Sequence, residues 1–196
     1  MALGDGNGDG RADIVVGTHT SSSHVKVFDG KTLDEIGSFF AYENYDGGVN
    51  VAARDGTIIT GTQSGSSHVK AFRDGSETFS KIVFPGYSGY SGGVSVAAGD
   101  LNGDGVVDIL TGTLRQGSHV VGYSGRNGGE ILSFHGFSGY NGGVSVGVSD
   151  VDGNGDADIE IGSRRDASHF KAFNPRLNPI KSVFALRELF VGVEVG

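Results

Sequence analysis

The stretch "GGVSVAAGDLNGDGVVDILTGT", Gly92 to Thr113, holds two apolar runs separated by a segment of Gly, Asp and Asn. The first run alternates apolar and small residues and the second is short and β-rich, so the stretch reads as a hairpin of two strands joined by an acidic loop. Within that loop Asp100, Asn102, Asp104 and Asp108 occupy positions 1, 3, 5 and 9, with Gly105 at position 6. Alternate oxygen-bearing side chains around a glycine-permitted turn suit a hard cation, which wants six to eight oxygen ligands.

Outward from this hairpin the chain repeats itself. "SHVKVFDG" at Ser23 to Gly30 returns as "SHVKAFRDG" from Ser67, "SHVVGYSG" from Ser118 and "SHFKAFNP" from Ser168. The histidines His24, His68, His119 and His169 are therefore spaced 44, 51 and 50 residues apart. Between the hairpin and the next copy lie "SHVVGY" and "EILSF", two further strand patterns bounded by turn residues. A period of this length carrying four strands predicts a β-propeller blade. The fold expected is all-β, one domain over residues 1–196, built of four blades of four antiparallel strands. Only "KSVFALRELF" near the C-terminus shows a weak helical period.

The chain also starts where it stops within the repeat. "FVGVEVG" aligns with "GGVSVA", and "MALGDGNGDG" with "VAAGDLNGDG". Pairing of these two terminal segments would close the ring and remove its open edges. The rival expectation is a homodimer completing a larger, eight-bladed ring.

Composition limits the partners. With 36 glycines, no cysteine, a net charge of −8 and pI near 5.1, the chain has no Lys/Arg cluster to neutralise phosphates. Neither nucleic-acid binding nor membrane insertion is expected, and the N-terminal "MALGDGNGDG" lacks the basic and apolar regions of a secretory signal. An acidic surplus suits cations.

Two further acidic loops share the register of the first. "DGNGDGRAD" gives Asp5, Asn7, Asp9 and Asp13, and "DVDGNGDAD" gives Asp150, Asp152, Asn154 and Asp158. A carbonyl from position 7, Arg11, Val106 or Asp156, completes each expected set. A helix–loop–helix calcium site would need glutamate at position 12, where Val16, Thr111 and Ile161 stand. The second repeat has lost the loop as a six-residue block, and "ARDGTI" replaces it with a tight Asp55-Gly56 turn. Loop starts thus fall at residues 5, 100 and 150, with 55 as the deleted counterpart, and three calcium ions are expected.

The Asp-x-Asn/Asp-x-Asp/Asn-Gly-x-x-Asp loops, the following "DIVVGT", "DILTGT" and "DIEIGS", and the "GGVSVAAGD" lead-in together resemble the FG-GAP or VCBS-type repeats of integrin-like propellers. The resemblance implies a secreted or surface-exposed propeller with calcium between the first and second strands of its blades. Four blades are fewer than the family usually has.

Two other features repeat along the chain. Ser and His are neighbours on a strand and point to opposite faces, so they do not meet as nucleophile and base, and no catalytic residue is expected. Packing or hydrogen bonding between strands is the preferred role for the histidines over a transition-metal ring. An aromatic pair recurs as Tyr42 and Tyr45, Tyr87 and Tyr90, then Phe137 and Tyr140, with Leu186 and Leu189 in the fourth copy. Such rings suit a sugar or a partner side chain, or else they seal adjoining blades. The function expected is a non-enzymatic binding or adhesion module for a carbohydrate or protein ligand. Its alternative is a structural scaffold, or an excised propeller fragment, with no ligand beyond calcium.

Overall fold

The computed structural model describes residues 1–86, 89–165 and 168–184. Among these the chain is all-β, with sixteen strands in four four-stranded antiparallel sheets. The first sheet is β1 (Ala2–Gly4), β2 (Asp13–Gly17), β3 (His24–Phe28) and β4 (Glu35–Phe40). The second is β5 (Val49–Arg54), β6 (Thr57–Thr62), β7 (His68–Arg73) and β8 (Ser76–Ile82). The third is β9 (Val94–Gly99), β10 (Asp108–Thr113), β11 (His119–Tyr123) and β12 (Glu130–His135). The fourth is β13 (Val144–Ser149), β14 (Asp158–Ser163), β15 (His169–Phe173) and β16 (Pro179–Phe184).

Each sheet follows chain order, the meander expected of a propeller blade. The weakly helical stretch is strand at its start, because β16 takes Lys181 to Phe184. Pairing with β15, Phe170 with Val183, Lys171 with Ser182 and Ala172 with Lys181, overrides the weak local period. The terminal segment "FVGVEVG", on which ring closure rests, lies outside the described residues, as do Tyr87, Leu186 and Leu189.

Contacts cluster into two compact units, Met1–Ala98 and Gly99–Gly196. In the first, Val15, Val25, Val27, Val49, Val51 and Ile58 form the core, with Phe39 and Phe72 packed against it. In the second, Leu101, Ile109, Leu110, Val120, Val144, Ile159 and Ile161 are buried. Every residue of β6, β9 and β10 is buried. The fourth strands are mostly exposed. The repeated Gly-Thr after the acidic hairpin has a packing reason. A Cβ on Gly17 would lie 2.7 Å from Val49 Cγ2, and one on Gly112 would lie 2.7 Å from Val146 Cγ1, so glycine admits the valines of the next sheet.

The Ser-His phrase is architectural on both sides. Ser23 Oγ donates to the Tyr42 carbonyl at 2.7 Å and accepts the Tyr42 N–H at 3.1 Å, and Ser118 does the same with Phe137 at 2.8 and 3.1 Å. These hydroxyls tie the segment after the fourth strand back to the start of the third. The histidine ring faces the other way and meets a fourth-strand serine. The Nε2–Oγ distances are 2.9 Å for His24–Ser38 and His68–Ser80, and 2.8 Å for His119–Ser133 and His169–Ser182. Rings stack beside this pair at 4.7 Å for His24–Phe40, 4.8 Å for His119–His135 and 4.2 Å for His169–Phe184. The serine of "GSFF", "FSKI", "LSFH" and "KSVF" is a repeat signature that sequence reading missed. It is a single common residue, recognisable only once its cross-strand partner is known.

Candidate metal centre

The three acidic loops join the first and second strands of the first, third and fourth sheets, and they fold in the same way. Position 1 gathers backbone N–H groups from positions 4, 5 and 6. Gly8, Asp9 and Gly10 donate to Asp5; Gly103, Asp104 and Gly105 donate to Asp100; Gly153, Asn154 and Gly155 donate to Asp150, all at 2.5–3.2 Å. The curl needs left-handed backbone at positions 4 and 6, for example φ 74° at Gly103 and 78° at Gly105, which glycine adopts without strain. Position 3 accepts the N–H of position 5, from Asp9 to Asn7, Asp104 to Asn102 and Asn154 to Asp152. Position 5 accepts that of position 7, from Arg11 to Asp9, Val106 to Asp104 and Asp156 to Asn154. Sequence alone thus builds the cradle: every second side chain folds the loop and still holds lone pairs for a cation.

The ninth-position carboxylates Asp13, Asp108 and Asp158 are fully buried at the start of the second strand. Two backbone groups hold each of the first two. Asp13 accepts from Gly6 and Gly30 at 3.1 Å each, and Asp108 accepts from Leu101 and Gly125 at 2.9 Å each. Burial nevertheless pushes the Asp108 carboxyl above the usual carboxylate range, with the two hydrogen bonds opposing it.

The fourth repeat departs from this pattern. Val151 N–H still donates to Asp158 at 2.9 Å, but Pro175 stands six residues after His169, where Gly30 and Gly125 follow their own histidines. Proline has no N–H to give. Asp158 Oδ1 is buried with no hydrogen-bond partner. Among the described residues, Asp150, Asp152 and Asp158 are the acidic group that could hold a metal ion, with carboxylate oxygens all within 4.8 Å of one another. The first and third loops have Asn7 and Asn102 where this one has Asp152, so they place one carboxylate fewer there. A buried, unpaired carboxylate oxygen is costly unless a proton or cation satisfies it, and an all-oxygen donor set fits a hard divalent ion.

The third loop carries a residue that the spacing did not reveal. Arg126, in the turn between β11 and β12, donates through Nε to Asp104 Oδ2 at 3.0 Å and through a terminal nitrogen to the Asp104 carbonyl at 2.8 Å. This hydrogen bond holds the Asp104 carboxyl below its ordinary range. A fixed positive charge at position 5 competes with an incoming cation. Arg126→Ala is expected to tighten divalent binding at this loop about fivefold, because a neighbouring like charge is removed. Calorimetric titration of the variant against the parent checks this, and weakened binding would mean that Arg126 organises the loop instead.

The recurring aromatics lie against neighbouring backbone. Tyr42 is 6 % exposed, and its hydroxyl sits 2.9 Å from both the Thr60 and His68 carbonyls, so burial pushes its phenol well above the usual range. Tyr45 donates to the Ser64 carbonyl at 2.5 Å, Tyr90 to that of Gly93 at 2.7 Å, and Tyr140 to that of Arg165. Within the pairs the rings meet edge to face, at 5.5 Å for Tyr42–Tyr45 and 5.7 Å for Phe137–Tyr140. One pair also borders open space. A cavity of about 750 Å³ is lined by Tyr42 and Tyr45 together with Ser21 to Ser23, Phe40, Glu43, Asn44 and Asp46.

Comparison with known proteins bears on the same residues. Residues 92–130, which take in the acidic loop of the third repeat and the strands on either side of it, match the FG-GAP repeat family. A protein of unknown function from Bacteroides caccae, seen in a crystal structure, is similar in fold, with a TM-score of 0.55 at 12 % sequence identity. The match covers 87 % of this chain, which spans little more than half, 57 %, of that one. No curated protein matches the sequence.

Proposed function

We propose that this chain, which carries an FG-GAP repeat at residues 92–130, is a non-enzymatic, calcium-dependent binding module of propeller blades. The observation that carries the metal part is Asp158 Oδ1, a buried carboxylate oxygen that Pro175 leaves without a donor beside Asp150 and Asp152. Calcium is the ion assigned because every side-chain ligand available is oxygen. By their shared register the loops at Asp5–Asp13 and Asp100–Asp108 take two further ions. Cations there stiffen the hairpin turns and offset the net charge of −8. FG-GAP repeats are typical of extracellular and cell-surface proteins, and we place this chain there as well.

For the ligand, the cavity beside Tyr42 and Tyr45 supports a carbohydrate. It combines aromatic surface with hydroxyl, amide and carboxylate groups, the mixture that a sugar's apolar face and hydroxyl edge require. A glycan array probed with the whole chain, in calcium and in chelator, tests the reading. Binding that is lost on Tyr45→Ala and on chelation is the expected result. Silence across the array would favour a scaffold whose only ligand is the ion.

A further inference from the structure

We propose that a second cavity, between the first and second sheets of unit Met1–Ala98, binds a small molecule with a branched aliphatic body and an ammonium end. The cavity measures about 440 Å³ and is walled by Val27 and Phe39 of the first sheet and by Ile58 and Phe72 of the second. The two phenylalanine rings meet at 4.9 Å. Asn7 and Asp74 stand among the lining residues, and Asp74 is the one charged group there.

The other unit shows what fits this space. Phe134 and Phe173 meet there at 5.3 Å, as Phe39 and Phe72 do here. In the same sheet as Phe134, Leu101 and Leu132 are buried, at 2 % and 7 % exposure, and both come over Gly122, 3.2 and 3.0 Å from where its Cβ would lie. The corresponding residues in the first repeat are Gly6, at loop position 2, and Gly37, which pairs with Val27 as Leu132 pairs with Gly122. Val27 refills part of what Gly6 gives up, since a Cβ on Gly6 would come 3.1 Å from Val27 Cγ1. Gly37 itself carries no counterpart of the Leu132 isobutyl group. The second repeat has also lost its six-residue loop at Asp55-Gly56, and Gly56 borders the cavity. Two side-chain deletions and one loop deletion thus converge on one place.

A cavity whose counterpart is filled by leucine selects a leucine-like hydrocarbon, and its volume falls in the range of small-ligand sites. The carboxylate of Asp74 gives that ligand a cationic end. The inference goes beyond the cation and sugar readings and stands if both fail, because its apolar walls, Val27, Ile36, Phe39, Ile58 and Phe72, are strand residues and its probe contains neither calcium nor glycan.

The test is a methyl-detected NMR titration of the whole chain with 3-methylbutylammonium. Saturable shifts confined to the Val27, Ile36 and Ile58 methyls are expected. Gly37→Leu, whose Cβ meets only ordinary contacts with Val27 at 3.4 and 3.5 Å, fills the space as Leu132 does and is expected to abolish binding while the melting temperature holds or rises. Asp74→Asn, which keeps the turn's positive φ of 50°, is expected to weaken the amine about threefold and to leave 3-methylbutanol unaffected. Absence of saturable shifts, or undiminished binding by Gly37→Leu, would overturn the site. Equal binding of 3-methylbutanoate would overturn the ammonium assignment.

Discussion

Chelation of calcium is expected to lower the melting temperature of this chain by well over 10 °C. A cation bound only by the folded state adds stability by mass action, about 2.7 kcal/mol per site at a free concentration a hundredfold above Kd. For a chain of 196 residues each such increment corresponds to about 5–10 °C. Three loops give three increments, and the second repeat, which lacks the loop, gives none. The fourth repeat contributes the most distinctive part, because Asp158 Oδ1 has no backbone donor in place of the ion. Asp158→Asn should therefore abolish one of the increments while the other two survive chelator titration as separate steps. A melt that is identical with and without chelator would sink the metal assignment in all three loops.

Gly125→Ala is expected to cost about 3 kcal/mol with calcium removed. Its Cβ would fall 1.9 Å from the Val107 carbonyl oxygen, and backbone cannot swing aside as a side chain does. Any shift that relieves the clash also pulls the Gly125 N–H from Asp108 Oδ1, 2.9 Å away, and a lost hydrogen bond to a buried carboxylate costs about 1.5–3 kcal/mol. Gly30→Ala meets the same geometry, with its Cβ 1.8 Å from the Ala12 carbonyl oxygen. Gly86→Ala is the control, since its Cβ would meet nothing within 4 Å. Thermal melts in chelator should show a loss of about 6–12 °C for the first two variants and no loss for the third. Equal melts for Gly125→Ala and Gly86→Ala would refute the packing argument.

Both predictions use residues whose importance is unequally visible in the chain. The loop aspartates declare themselves because the chemistry is local. Positions 1, 3 and 5 accept N–H groups two to five residues away, so spacing alone dictates the curl. Asp55-Gly56 was legible for the same reason, and its φ values of 46° and 76° are those of the tight hairpin turn the dipeptide favours. Arg126 was not legible, because it reaches Asp104 across 22 positions and nothing in its own neighbourhood marks it. Pro175 sits 17 positions from Asp158, and its effect is a donor that it fails to supply.

The sequence by itself determined the repeat, its period, the four strands of each unit and the three loops with their missing fourth. Strand alternation, turn glycines and short-range side-chain acceptors are all properties of neighbouring residues, and a fourfold repeat multiplies their signal. Tertiary structure decided what those residues are for. It set the Ser-His pairs as cross-strand ties, placed the tyrosine hydroxyls on the backbone of adjoining segments, and singled out the loop of the fourth repeat, Asp150–Asp158, by its orphaned oxygen. It also revealed that the side chain filling one spot comes from different positions in different repeats, with Gly6 and Val27 in one and Leu101 and Gly122 in another. Such a change redistributes volume between positions, and volume is shared between residues that only the folded chain brings together.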